Sequence, residues 1–274
     1  EQGWNALGLE DLYPELGDRD YNDLVVAYAF ELVQRSDGLI RDVLATFHLV
    51  ARGGSYDHKI GLHLADWPVV DGLVQIEQFL SDELGSHVLL PPRPLAEVLA
   101  GGGRLEDLFP SAAFALTPQP GLVFSNTQTG TVETPAASAR VLLSLDPPVD
   151  PVLLGSPPYD PYVLISDGLG FDVDVHLSGM PAFEERREGL PEESGPGAFL
   201  GADGLPWLLE VPMHWRFPIE SRDVAEAYPE FLKWAASHGT LAEDWVDDFD
   251  PDAVAPRLSD FLIARPWTVD LPKP

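Results

Sequence analysis

Leu24-Val-Val-Ala-Tyr-Ala-Phe-Glu-Leu-Val-Gln-Arg-Ser-Asp-Gly-Leu-Ile-Arg-Asp-Val-Leu-Ala-Thr-Phe-His-Leu-Val-Ala-Arg52 reads as a β-hairpin. Leu24, Val26, Tyr28, Phe30 and Leu32 alternate with Val25, Ala27, Ala29 and Glu31, the two-residue period of a strand at about 24–33. Ser36-Asp-Gly38 supplies the turn, its glycine free to take a positive φ. The return strand, about 40–52, places Val43, Ala45, Phe47, Leu49 and Ala51 on one face and Leu44, Thr46, His48, Val50 and Arg52 on the other. One face is apolar and the other mixed, so the expectation is a strand with one side on a core and one near solvent.

An acidic loop precedes the hairpin. Glu10, Asp11, Asp18, Asp20, Asn22 and Asp23 are packed into fourteen residues. Oxygen ligands of this kind suit hard cations, and Ca²⁺ takes about six to eight of them. Asp18, Asp20 and Asn22 fall at positions one, three and five of an EF-hand loop. The match ends at Asp23, where that loop needs Gly, and at Ala29, where it needs a bidentate Glu. The strand that follows also excludes a helix–loop–helix. Two readings stand. In one, Asp18, Asp20, Asn22 and Asp23 hold Ca²⁺, with Glu10 and Asp11 as a second set, and the metal pins the first hairpin. In the other, the loop is a polar turn whose Asp and Asn side chains bond the local backbone. Carboxylates this close repel unless a cation or donors offset them.

The stretch Glu10-Asp-Leu-Tyr-Pro-Glu-Leu-Gly-Asp-Arg-Asp-Tyr-Asn-Asp23, continuing into Leu24-Val-Val26, resembles the opening of the LruC-type domain of secreted and outer-surface bacterial proteins. Further blocks follow in the order of that family: Gly53-Gly-Ser-Tyr56, Gly61-Leu-His-Leu64, Ser125-Asn-Thr127, Asp174-Val-His-Leu177, Leu205-Pro-Trp207, Phe217-Pro-Ile-Glu220, Tyr228 to Ala235, and Gly239 to Trp245. His58-Lys59 departs from the family's usual Asn-Gly, so a turn there is expected to differ. The resemblance implies a mostly β surface domain and carries no established activity.

Composition narrows the function. Sixteen basic against 45 acidic residues leave a formal charge of −29, which disfavours nucleic acid and anionic membranes as partners. Such acidity serves solubility, cation binding or both. With no cysteine, disulfides, thiol nucleophiles, zinc–thiolate sites and iron–sulfur clusters are excluded. No apolar run approaches the ~20 residues that span a bilayer. The expectation is that any export signal or lipid anchor has been removed ahead of Glu1.

The whole chain carries 27 Pro and 24 Gly, and beyond the hairpin short apolar runs alternate with breaks of these two residues. Residues 1–9 read as a lead-in with Trp4 and Leu7 to pack. Strands are expected at Ile60–Leu64, Leu73–Phe79, His87–Leu90, Ala113–Thr117, Gly121–Ser125, Arg140–Leu145, Tyr162–Ser166, Phe171–Leu177, Trp207–Val211 and His214–Phe217. One helical turn is expected at Leu95–Ala100 and one short helix at Pro229–His238, with Phe231, Trp234 and Ala235 on one face covering an end of the sandwich. Residues 182–206 read as an exposed loop with Glu184, Glu185, Glu188, Glu192 and Glu193 solvated. Asp146-Pro-Pro-Val-Asp-Pro151 is either a linker between lobes 1–145 and 152–245 or a rigid loop crossing between sheets. The second reading makes residues 1–274 a single domain with a tail at 246–274. The sum is a mostly β fold, an antiparallel β-sandwich of jelly-roll type with one short C-terminal helix.

Catalytic signatures are weak. No G-x-S-x-G elbow occurs, the seven histidines follow no zinc-ligand spacing, and Gly101-Gly-Gly103 lacks the Gly-Lys-Ser/Thr of a phosphate loop. Asp172, Asp174 and His176 share a strand face, either as a second cation or sugar row or as the solvent side of an edge strand. Trp67, Trp207, Trp215, Trp234 and Trp245 are expected in the core. These features favour a secreted, periplasmic or outer-surface module, stabilised by Ca²⁺ and binding a glycan or a surface protein. The alternatives are a glycan-active hydrolase with paired carboxylates and a purely structural surface or matrix protein.

Overall fold

The structure, a computed structural model, describes residues 3–82, 84–117, 123–131, 133–166, 172–184, 186 and 188–270. Gly121, Leu122, Phe171 and Glu185, and the outer ends of the expected lead-in and tail, lie outside these residues. Among the described residues the chain forms β1 (Trp4–Leu9), β2 (Leu24–Gln34), β3 (Ile40–Ala51), β4 (Asp57–His63), β5 (Asp71–Phe79), β6 (His87–Leu89), β7 (Arg93–Pro94), β8 (Arg104–Phe109), β9 (Ala137–Val149), β10 (Asp160–Ser166), β11 (Asp172–Val175) and β12 (Leu208–Pro212). Five short helices join them: α1 (Leu95–Ala100), α2 (Ala112–Ala115), α3 (Pro151–Leu154), α4 (Val224–Ala227) and α5 (Phe231–Ala236).

These strands build an antiparallel β-sandwich. The large sheet runs β12-β1-β2-β3-β9-β5-β6, with β7 also on β5, and the small one runs β11-β10-β4-β8. Val26, Tyr28, Phe47, Leu49, Val141, Leu143, Val74 and Ile76 of the large sheet meet Ile60, Leu62, Leu105, Phe109, Val163 and Val175 of the small one in a continuous apolar core. The hairpin lies where its alternation predicts.

Its second face departs from expectation. Leu44, Thr46, His48, Val50 and Arg52 are all buried rather than near solvent. A C-terminal layer covers this side of the large sheet. Val25, Ala27, Val50, Leu209 and Val211 pack there against Trp215, Phe217, Tyr228, Phe231, Trp245 and Phe261. Ala51 belongs to this second core, not to the row of Phe47 and Leu49, because the register shifts between Val25 and Val26. A β-bulge lets two residues oppose one, so the alternation changes phase beyond it.

Other differences have local causes. Trp4–Leu9 is a full strand between β2 and β12 rather than a lead-in. Arg104–Phe109 is a strand that pairs with β4. Ala113–Thr117 was expected in a strand, but Ser111 Oγ accepts from the Phe114 N–H at 3.0 Å and starts α2 instead. His214–Phe217 is not a strand either. The Tyr228 hydroxyl takes both backbone groups of Arg216, accepting from its N–H at 3.1 Å and donating to its carbonyl at 2.6 Å. Asp146–Val149 forms the end of β9, and the chain crosses between the sheets after it, through α3. His58 and Lys59 lie within β4, not in a turn.

Candidate metal centre

The acidic loop closes one end of the sandwich. Arg19 and Tyr21 take left-handed φ values of 61° and 52°, alternating with Asp18, Asp20 and Asn22. This costs roughly 1–2 kcal/mol per non-glycine residue, and the loop's hydrogen bonds hold it. Glu10 Oε1 accepts from the Tyr21 N–H at 2.7 Å, and Asp20 Oδ1 accepts from the Asn22 N–H at 3.1 Å. Asp20 Oδ2 accepts from the Ser221 N–H at 2.8 Å.

Glu10, Asp18 and Asp20 converge. Each offers an oxygen within 4.8 Å of the others, Glu10 and Asp20 buried and Asp18 exposed. Glu10 Oε2 is buried and accepts no hydrogen bond. It sits so close to Gly17 that a Cβ there would collide with it. Burial, then repulsion from Asp20 and Asp18, pushes the Glu10 carboxyl up to about 8, against the opposing pull of the Tyr21 and Arg19 N–H groups. Burial and then Asp18 raise Asp20 to about 7. Protein atoms alone leave these two groups short of positive charge. A cation on the open Asp18 side would supply it and keep both ionised.

The other expected ligands take different places. Asn22 Nδ2 donates to the Pro218 carbonyl at 3.0 Å. Asp23 Oδ2 accepts from the Asp11 N–H at 2.8 Å, and Asp11 Oδ2 is paired with His58 Nε2 at 3.1 Å. Asp23 is also raised, by burial first and then by Asp11. Of the five expected carboxylate ligands, the tight cluster unites three.

Glu220 and Thr127 escaped sequence reasoning. Glu220 Oε2 accepts from Thr127 Oγ1 at 3.2 Å, and the Glu220 N–H donates to the Thr127 carbonyl at 3.0 Å. Burial, then Asp18 and Asp11, raise the Glu220 carboxyl. The signal lay in the blocks themselves. Glu10–Asp23, Gly53-Gly54, Ser125-Asn-Thr127 and Phe217–Glu220 meet at this one end. Asn126, in the same run as Thr127, lines an adjoining cleft of about 570 Å³ with Leu80, Phe124, Thr134, Ile263 and Arg265.

Asp172, Asp174 and His176 form neither a cation row nor a solvent face. Asp174 and His176 are buried, and only Asp172 is exposed, where Lys59 pairs with it. His176 is held between Asp160 at 2.9 Å and Asp174 at 3.2 Å, and Arg186 pairs with Asp174 from the other side. Burial alone would lower the His176 pKa, but its two carboxylate partners outweigh that and raise it. The 182–206 loop is thereby anchored. Glu193 accepts from the Tyr13 hydroxyl at 2.6 Å and is half-buried, whereas Glu184, Glu188 and Glu192 are exposed. Trp67, Trp207, Trp215 and Trp245 are buried as expected, and Trp234 is partly so.

Compared with known proteins, residues 38–246 match the family described as Domain of unknown function (DUF4842). The chain belongs to the DUF4842 family. The matched span contains Gly53, Gly54, Thr127 and Glu220, and begins after Glu10, Asp18 and Asp20. The DUF4842 chain also resembles the crystal structure of a putative lipoprotein from Bacteroides ovatus, with a TM-score of 0.65 at 17% identity. That likeness covers 92% of this chain and 74% of the other, and establishes a shared fold. No curated protein matches. Among the described residues of this DUF4842 chain, no helix is long and apolar enough to cross a membrane.

Proposed function

We propose that this chain is a calcium-stabilised β-sandwich of the bacterial cell surface or envelope that binds a glycan or protein ligand. The observation that carries the calcium reading is Glu10 Oε2, a buried carboxylate oxygen without a donor, beside Asp18 and Asp20. An all-oxygen set with one exposed member leaves room for water to complete the coordination that Ca²⁺ favours. The likeness to a putative lipoprotein supports the location, as does the resemblance to LruC-type surface domains. The cleft lined by Asn126 is the proposed ligand surface, since its size suits a small ligand or a protruding side chain. The run Ser125-Asn-Thr127 joins it to the metal centre, so calcium and ligand affinity are expected to be coupled.

Thermal unfolding in excess EDTA, then with Ca²⁺ or Mg²⁺ restored, tests this reading. Ca²⁺ is expected to raise the midpoint by several degrees, and a double Asp18→Ala, Asp20→Ala variant to lose that gain. An unchanged midpoint in every condition would return the loop to a hydrogen-bonded turn.

A further inference from the structure

We propose that Asn22 Oδ1 and Glu220 Oε2 form a second Ca²⁺ subsite, separate from the one at Glu10, Asp18 and Asp20. It rests on the calcium reading of the acidic loop. Asn22 is completely buried. Its Nδ2 donates to the Pro218 carbonyl, which fixes the amide's orientation and leaves Oδ1 pointing away with no donor. A Cβ on Gly53 would collide with Oδ1 and would stand 3.1 Å from Glu220 Oε2. Both oxygens therefore lie over the same backbone point, 2.0 and 3.1 Å from where that Cβ would stand.

An amide oxygen and a carboxylate are both acceptors, and two acceptors facing each other repel unless a donor or a cation lies between them. The single hydrogen bond to Glu220 Oε2, from Thr127, comes from the far block and does not reach Asn22. Side-chain amide and carboxylate oxygens are both Ca²⁺ ligands. Glu220 is not one of the three carboxylates whose oxygens lie within 4.8 Å of one another, Glu10, Asp18 and Asp20, although it feels the charges of Asp18 and Asp20. Two ions would also answer the charge better than one, because Asp11, Asp23 and Glu220 all adjoin the first site, and His58 is bonded to Asp11.

Direct Ca²⁺ titration by calorimetry and equilibrium dialysis tests the subsite. The wild-type chain is expected to bind two ions, Glu220→Gln one, and Asp18→Asn the other one. Circular dichroism checks that each variant is folded. Glu220→Asp keeps the charge but shortens the reach, and is expected to weaken one of the two sites at least tenfold. One ion in the wild type, unaffected by Glu220→Gln and lost in Asp18→Asn, overturns the second subsite and leaves the first standing. Loss of all binding in both single variants reduces the two sites to one and overturns it as well. No binding in the wild type overturns both readings.

Discussion

The Ser221 N–H donates to Asp20 Oδ2 at 2.8 Å, across 201 residues of chain. Asp20 thereby answers to two masters: its Oδ1 shapes the local turn through Asn22, and its Oδ2 secures the segment that carries Glu220. The acidic loop is therefore part of the tertiary structure, and changes in it should be read as changes in how two distant segments dock.

Asp18→Asn should invert its effect with calcium. Asp18 is exposed, and its charge raises the pKa of Glu10, Asp20 and Glu220 by repulsion. In EDTA the variant is expected to melt roughly 1–3 °C above the wild type, because a repulsion is relieved. In saturating Ca²⁺ it is expected to melt below it, because a ligand is lost. The same ranking in both buffers would show that no cation uses this carboxylate.

Gly53→Ala should destabilise the chain by about 1–3 kcal/mol. The added methyl would collide with Asn22 Oδ1 and approach the Asn22 carbonyl oxygen to 2.9 Å, and a backbone atom cannot rotate away. Urea unfolding measures the loss. A variant as stable as the wild type would mean that the loop can retreat, and the close approach would carry no weight.

His48 should make the fold acid-sensitive. Burial first, then the nearby Arg265 and Arg140, lower its pKa from 6.5 to about 4, and it stays neutral against Trp4 and Ser138. The unfolded chain takes up this proton at higher pH than the native one. The contribution is complete above about pH 6.5 and is lost as pH falls toward 4, by up to about 3 kcal/mol. His48→Gln does not titrate, so its urea midpoint should fall less than that of the wild type between pH 7 and pH 4.5. Parallel losses would exclude His48 as the cause.

Phe231→Ala should cost about 3–5 kcal/mol. Phe231 is completely buried in the second core, against Tyr21 of the acidic loop as well as Trp234 and Trp245. Removing its ring opens a cavity under the loop, so calcium affinity should drop together with stability. If affinity is untouched, the helix and the loop are mechanically independent.

Legibility in the sequence followed how local the cause was. Leu24 to Leu49 declared itself because residues on each strand alternate with a two-residue period and Ser36-Asp-Gly38 sits between the strands, and the phase changes at the bulge before Ala51. Trp4–Leu9 has the same conformation, but six residues containing Asn5 and Gly8 give too short a pattern to recognise. The burial of His48 against Trp4 and Ser138, and of Arg52 against Val123 and Ser125, depends on segments that no window around them contains. At the site, Glu10, Asp18 and Asp20 were found because they are close in the chain. Glu220 lies about two hundred residues along the chain from the acidic loop, after Phe217-Pro-Ile219, and only the fold brings it near Asn22. Asp174 and His176 alternate like a solvent face. What buries them is a loop anchored through Arg186 and Glu193, with no periodicity to announce it.

The placement of β1 has a consequence for how the chain is made. Asn5 lies opposite Pro212 on one side and Tyr28 on the other, so β1 acquires its second neighbour only after the intervening strands have been made. Loop closure over such a distance makes folding slow and cooperative over the whole length. Until β12 emerges, β1 presents an unpaired edge that can recruit strands from other copies. A fragment truncated before Leu208 is thus expected to aggregate rather than form a smaller sandwich, and the nascent chain needs protection until β12 arrives.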